Sequence, residues 1–170
     1  MKSKQEKTIY DYWLWKKYFS LPQIKQLTKL IEANIHGDES PEKAATGTDG
    51  KQLKFLNTRH VFIHKLYKFL KPLLKNIYYI NDREFQWDLF TTFDDFGLAN
   101  YNIYSSKTKD HYGWHTDITD YKDNFDTKFT ILINLSDKPY KGGDFLYFQQ
   151  APKNITDFKN TGAVLMFKSY

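Results

Sequence analysis

The chain has 170 residues, 41% of them hydrophobic and 26% charged, so it suits one folded domain with a real core and is not a disordered chain. It contains no cysteine, which excludes disulfides and thiolate metal sites and leaves only histidine and carboxylates to hold any metal ion. The formal charge is a modest +5. No apolar run approaches the roughly 18 residues of a membrane span, and MKSKQEKTIY at the start lacks the apolar segment of a signal peptide. The expectation is a cytoplasmic protein with no membrane partner.

Taken in order, the aromatic segment Tyr10–Phe19 reads as a short strand or turn on the core. Ser20 then caps a helix, with Gln23 at the capping-box position and Pro22 in the first turn, where its missing N–H is harmless. Leu21, Ile24, Leu27, Leu30, Ile31 and Ile35 form its apolar stripe, and the helix is expected to run to about Asn34. His36–Gly50 has no periodicity and reads as a loop; Lys51–Ile63 can contain a strand. A second helix is predicted over Lys65–Ile80 with Leu66, Phe69, Leu70, Leu73, Leu74 and Ile77 inward. Pro72 requires it to begin near Phe69 or to kink.

Beyond Asn81 the pattern turns to strands: Phe85–Phe90, Leu98–Tyr104, His111–Asp117, Lys128–Leu135, Asp144–Phe148 and Ala163–Phe167. Turn signals separate them at Ser105–Asp110, Ser136–Gly143 and Ala151–Gly162. The 13 Tyr, 14 Phe and 4 Trp suit a β-rich core built from large rings. The predicted class is therefore α+β, mainly β: one domain over residues 1–170. Residues 1–81 form a helical support region and residues 82–170 a β-sandwich or jelly roll.

Two features bear on function. Between Asp49 and Asp82 there are seven bases and no acid, a run that reads first as a solvated face and second as a surface for an acidic partner. The other is Trp114-His115-Thr116-Asp117. On a strand His115 and Asp117 share one face at about 7 Å along the chain, with Thr116 pointing away. One imidazole and one carboxylate with open positions left over suit an Fe(II) centre that must also hold a substrate and O2. His36, His60 and His64 have no partner spacing. His111 shares the strand face of His115 but lies too far along it to be a ligand.

Four blocks in order carry a family resemblance: WHTD at 114–117, TILINLS at 130–136, PYKGGDF at 139–145 and GAVLMFKS at 162–169. With them the chain resembles the Fe(II)/2-oxoglutarate dioxygenases, specifically the prolyl 4-hydroxylase-like group that includes the PKHD-type hydroxylases. The resemblance implies a double-stranded β-helix, a distorted jelly roll, with Fe(II) at its mouth. It implies 2-oxoglutarate as cosubstrate, O2 and an unassigned peptidyl or small-molecule substrate as partners, and ascorbate as a further cofactor. Decarboxylation of 2-oxoglutarate to succinate would be coupled to C–H hydroxylation.

Carried over, His115 and Asp117 are two metal ligands and the catalytic centre. Tyr104 and Tyr112 lie near the cosubstrate, where a phenolic O–H can donate to a carboxylate, with simple packing as the competing role. Thr130 and Asn134 share a strand face and can both hydrogen-bond the cosubstrate if Thr130 faces inward. Trp114 is assigned to packing or the pocket rim, Gly142-Gly143 to a tight turn, and Leu146 and Phe148 to the core.

The sequence departs from the family at its end. A second metal histidine is expected a few residues beyond Ser169, and a basic residue for the far carboxylate of 2-oxoglutarate about ten residues later. The sequence ends at Tyr170 with no histidine after His115, and against the family pattern the expectation is that the last strand or strands are missing from it. A fragment of a longer reading frame is the favoured explanation, and a natural truncation is the other. Two further classes stand beside the hydroxylase. One is a non-catalytic jelly-roll module that binds a peptide or acidic ligand through the basic helix and aromatics. The other, less favoured, is a metal-independent nucleic-acid binder.

Overall fold

In a computed structural model of the chain, the described residues are 11–36, 41–42, 54–89, 97–117, 127–148 and 151–169. They form an α+β protein of antiparallel sheets and two α-helices. Strand β1 (Tyr12–Trp15) is followed by α1 (Leu21–Glu32). The helix starts where the capping pattern places it: the Ser20 amide and hydroxyl both donate to Gln23 Oε1 at 2.9 Å. Ile24, Leu27 and Ile31 are buried as the stripe predicts, whereas Leu21, in the first turn, is exposed.

Short strands β2 (Ile35–His36) and β3 (Pro41–Glu42) fall in and beside the stretch expected to be a loop; 37–40 and 43–50 lie outside the described residues. Both pair with β4 (Lys54–Phe62). A 3₁₀ turn at Ile63–Leu66 leads into α2 (Tyr67–Ile80), which buries Phe69, Leu73, Ile77 and Ile80. The helix begins two residues before Phe69 and continues through Pro72. Pro72 lies on the exposed face, so the carbonyl it leaves unpaired one turn earlier can be met by water.

The strand expected over Phe85–Phe90 does not form. Asn81–Phe85 is a π-helical turn, Gln86 takes a left-handed φ of 58°, and 86–89 have no regular structure. Buried Asn81 makes this reversal: its Nδ2 donates to the Trp87 carbonyl at 2.7 Å and its Oδ1 accepts from the Trp87 amide at 3.1 Å. The alternation of large rings that suggests a strand instead serves a ring cluster. Trp87 stacks on Phe129 at 4.7 Å, and Phe85 meets the same ring edge-on at 4.9 Å.

The later strands are β5 (Leu98–Ile103), β6 (His111–Tyr112), β7 (Phe129–Ile133), β8 (Leu146–Phe148), β9 (Pro152–Asn154) and β10 (Val164–Lys168). The strand expected over His111–Asp117 is therefore cut to two residues, and the turn expected over Ala151–Gly162 holds β9 and a 3₁₀ turn at Thr156–Lys159. One sheet runs β1-β10-β7, a second is organised on β4 with β2, β3, β5 and β6, and β8–β9 is a hairpin.

Strand β10 is the centre of the first sheet, and Val164, Leu165 and Met166 are wholly buried. Val164 and Met166 share one core with both helices, Val61 and Phe85, while Leu165 and Phe167 pack with Ile155, Leu132 and Phe145 on the other side. A strand covered on both faces reads as a continuous apolar run, which is why AVLMF does not alternate. Leu146 and Phe148 depart from expectation: they are 45% and 61% exposed and not core. Among the described residues no helix is long and apolar enough to cross a membrane.

Gly162 joins β10 to the first helix. Its carbonyl accepts from the Tyr18 and Phe19 amides, both at 3.0 Å, and its φ is +73°. A Cβ there would lie 2.0 Å from the Phe19 carbonyl oxygen. Gly162→Ala is accordingly expected to lose roughly 3 kcal/mol through left-handed strain and displaced backbone. Urea unfolding measures this, and a loss below about 0.5 kcal/mol, the size of an ordinary surface change, would contradict the tight approach.

Candidate metal centre

The site is set by how β5 and β6 leave β4. Asn57 pairs with Ile103 and Phe55 with His111, so residues 104–110 loop out opposite Leu56 alone. Asp110 closes this excursion: its Oδ2 accepts from the Ser105 amide at 2.8 Å, its Oδ1 from the Thr108 hydroxyl at 2.5 Å, and its own amide donates to the Ser105 carbonyl at 3.0 Å. The turn predicted at Ser105–Asp110 is thus present, and it returns the chain to the ladder at His111 and Tyr112. The chain then leaves β4 at Gly113.

His115 and Asp117 lie in this irregular segment and not on a strand. They meet more closely than strand geometry allows, with His115 Nε2 3.0 Å from Asp117 Oδ1. His115 Nδ1 is 2.8 Å from the Gly113 carbonyl oxygen. A carbonyl can only accept, so Nδ1 carries a proton. Nε2 then faces a carboxylate oxygen, a contact that is attractive only if Nε2 is also protonated or a cation sits between the two groups.

Asp117 is tied from the other side. Its amide donates to the Ser169 carbonyl at 2.9 Å, beside the end of β10, and its Oδ2 accepts from the Thr130 hydroxyl on β7 at 2.7 Å. Thr130 Oγ1 is also 3.1 Å from Ser169 Oγ. With its own proton given to Asp117, Thr130 can only accept there, so a partly buried chain runs Ser169 to Thr130 to carboxylate. The His115 hydrogen bond, followed by the Thr130 hydroxyl and the His115 charge, holds the Asp117 carboxyl below its ordinary range against the opposing effect of partial burial.

The remaining predicted residues divide. Tyr112 lies flat on the His115 ring, with centroids 3.6 Å apart and planes 8° apart. Tyr104 is half exposed, and desolvation followed by nearby Tyr112 and Asp110 raises its phenol above the ordinary value. Thr130 belongs to the Asp117 cluster. Asn134 is buried elsewhere, its Nδ2 donating to the Phe158 carbonyl at 2.8 Å and the Tyr140 hydroxyl at 3.3 Å, and its Oδ1 accepting from the Ser136 amide. It closes the exit from β7. His111 is exposed, with Nδ1 3.1 Å from the Lys109 carbonyl oxygen.

Trp114, more than half exposed, meets Phe148 edge-on at 6.0 Å. These rings, with His115, Thr116 and Pro152, line an open cavity of about 500 Å³. Trp114 is thus on the rim as expected, but Thr116 lines the same cavity as His115 and does not point away. Gly142 and Gly143 both have positive φ, as the tight turn requires. Residues 118–126 lie outside the described residues.

Two contributors escape sequence reading. Ser169 falls inside a recognised block but carries no spacing signal of its own, and Gly113 acts through its carbonyl, which no side-chain pattern reports. Among the described residues no group of three or more histidine and acidic side chains is arranged to hold a metal ion. No protein-family model, curated protein or solved structure matches the chain.

The Asp117 shift has a definite sign. Its pKa is lower folded than unfolded, so its contribution is fully present above the unfolded value of about 4 and is lost as pH falls through the folded value. Thr130→Val and His115→Ala each remove a partner that favours the carboxylate, so each is expected to raise the Asp117 midpoint in a carboxyl NMR titration. An unchanged midpoint in both would contradict the assigned contacts.

Proposed function

We propose that the chain is an Fe(II)- and 2-oxoglutarate-dependent hydroxylase of the prolyl 4-hydroxylase-like kind, built on a jelly roll. The observation that carries this reading is the His115–Asp117 pair, with Nδ1 committed to Gly113 and Nε2 aimed at a carboxylate oxygen. A ligand histidine needs its other nitrogen engaged in this way, so that one tautomer presents a lone pair. Two antiparallel sheets with a strand buried on both faces support the jelly roll.

The donor set fits two positions of a hard divalent ion: one neutral imidazole nitrogen and one carboxylate oxygen. Fe(II), with 2-oxoglutarate and O2, would supply the oxidising chemistry of a C–H hydroxylation. The chain's residues do the rest. His115 must release its Nε2 proton to become a ligand. Thr130, backed by Ser169, holds Oδ2 so that Oδ1 stays directed at His115. Trp114 and Phe148 line the adjoining cavity with apolar surface, which favours a substrate group with exposed C–H bonds and displaces water from it. Tyr104, held protonated, is a donor available to a carboxylate.

Anaerobic titration with Fe(II) and 2-oxoglutarate tests the reading. A weak visible charge-transfer band is expected, and His115→Ala and Asp117→Ala should each weaken binding more than about 100-fold, beyond what loss of an outer partner costs. No band from the native chain would refute it.

A second reading, a non-catalytic module for an acidic ligand, is favoured by one observation. Exposed rings of α2 carry cations, with Lys71 5.3 Å from the Tyr67 centroid and, just beyond the helix, Arg83 5.3 Å from that of Tyr79. Tight, steeply salt-dependent binding of a polyanion, alongside no Fe(II) band, would select it.

A further inference from the structure

We infer that Tyr112 is a positioning residue for His115, acting through its ring and not its hydroxyl; the inference rests on reading His115 and Asp117 as a metal pair. The hydrogen bond from Nδ1 to the Gly113 carbonyl fixes one direction in the imidazole plane. A hydrogen bond tolerates some torsion about the Cβ–Cγ bond, and such a pivot swings Nε2 out of line with Asp117 Oδ1. A flat neighbour on one face removes the pivot. Tyr112 is that neighbour, parallel to within 8° at 3.6 Å.

Tyr112 is itself held by the backbone. It pairs with Lys54 on β4, and the Asp110-closed excursion fixes where the chain re-enters the ladder. The ladder therefore sets where Tyr112 sits, its ring sets the plane of His115, and Gly113 sets the rotation of His115 within that plane. None of these constraints uses the phenolic oxygen. A cosubstrate contact through that hydroxyl, the role the family resemblance implies, would be a separate property. Loss of an orienting partner commonly weakens a metal site 10- to 100-fold, and a ring with one hydrogen bond still in place belongs at the lower end.

Titration with Co(II) alone, followed by its visible absorption, tests this on the 170-residue chain and on Tyr112→Ala, Tyr112→Phe and His115→Ala. Native and Tyr112→Phe proteins should bind alike, Tyr112→Ala about tenfold more weakly, and His115→Ala not measurably. The metal-free native chain supplies a second measurement that needs no variant: stacking should move the His115 ring-proton resonances upfield of their free position. Equal binding by Tyr112→Ala, or binding by Tyr112→Phe as weak as that of Tyr112→Ala, would overturn the inference, as would unshifted ring protons. Absence of Co(II) binding by the native chain would also overturn it. Upfield ring protons in that case would identify the metal reading, and not the stack, as what failed.

Discussion

The hydrogen bond from His115 Nδ1 to the Gly113 carbonyl is the constraint on which the site depends. It is a short local contact within one turn of chain, yet it decides which imidazole nitrogen is available. Without it a neutral ring could meet Asp117 simply by carrying its one proton on Nε2, an ordinary hydrogen bond. With it, Nε2 can approach the carboxylate only as a donor or with a cation between them. The same contact needs a backbone that has left the β-ladder, since a residue in an extended strand cannot reach the carbonyl two positions earlier in this way. The break in strand order at Gly113 is therefore part of the site.

The rest of the fold serves to hold this irregular segment still. The Asp117 amide is pinned to the end of β10, the most deeply buried strand, and its carboxylate to Thr130 on neighbouring β7. On the other flank, the chain enters the segment from β6, fixed on β4. The two sheets thus grip it at opposite ends. Packing carries this rigidity inward, because the core that covers Val164 and Met166 also covers both helices and Val61 on β4. The open side of the segment, at Trp114, faces the apolar cavity.

Much of the fold was legible because it followed from periodicity. The α1 stripe and its Ser20 cap, the apolar run of β10 and the turn at Ser105–Asp110 all rest on local chemistry. At Phe85 and Trp87, alternation of rings imitated a strand, but the buried amide of Asn81 turned the chain, and nothing in the spacing announces that contact. At Leu146 and Phe148, apolar character suggests burial, yet Phe148 lines the open cavity and Leu146 is exposed on the β8–β9 hairpin. His115 and Asp117 come together through an irregular segment after β6, not through a shared strand face. Gly113 and Ser169 were invisible because their roles depend on backbone carbonyls and on a contact across the sheet.

The central claim is that the chain selects the His115 tautomer before any metal arrives. Long-range ¹H–¹⁵N correlation spectra of the metal-free protein test it most directly. The account predicts a protonated Nδ1, with Nε2 protonated as well where it faces the Asp117 carboxylate and no cation is present. A ring protonated at Nε2 with a bare Nδ1 could not donate to the Gly113 carbonyl, and it would contradict both the lock and the ligand geometry built on it.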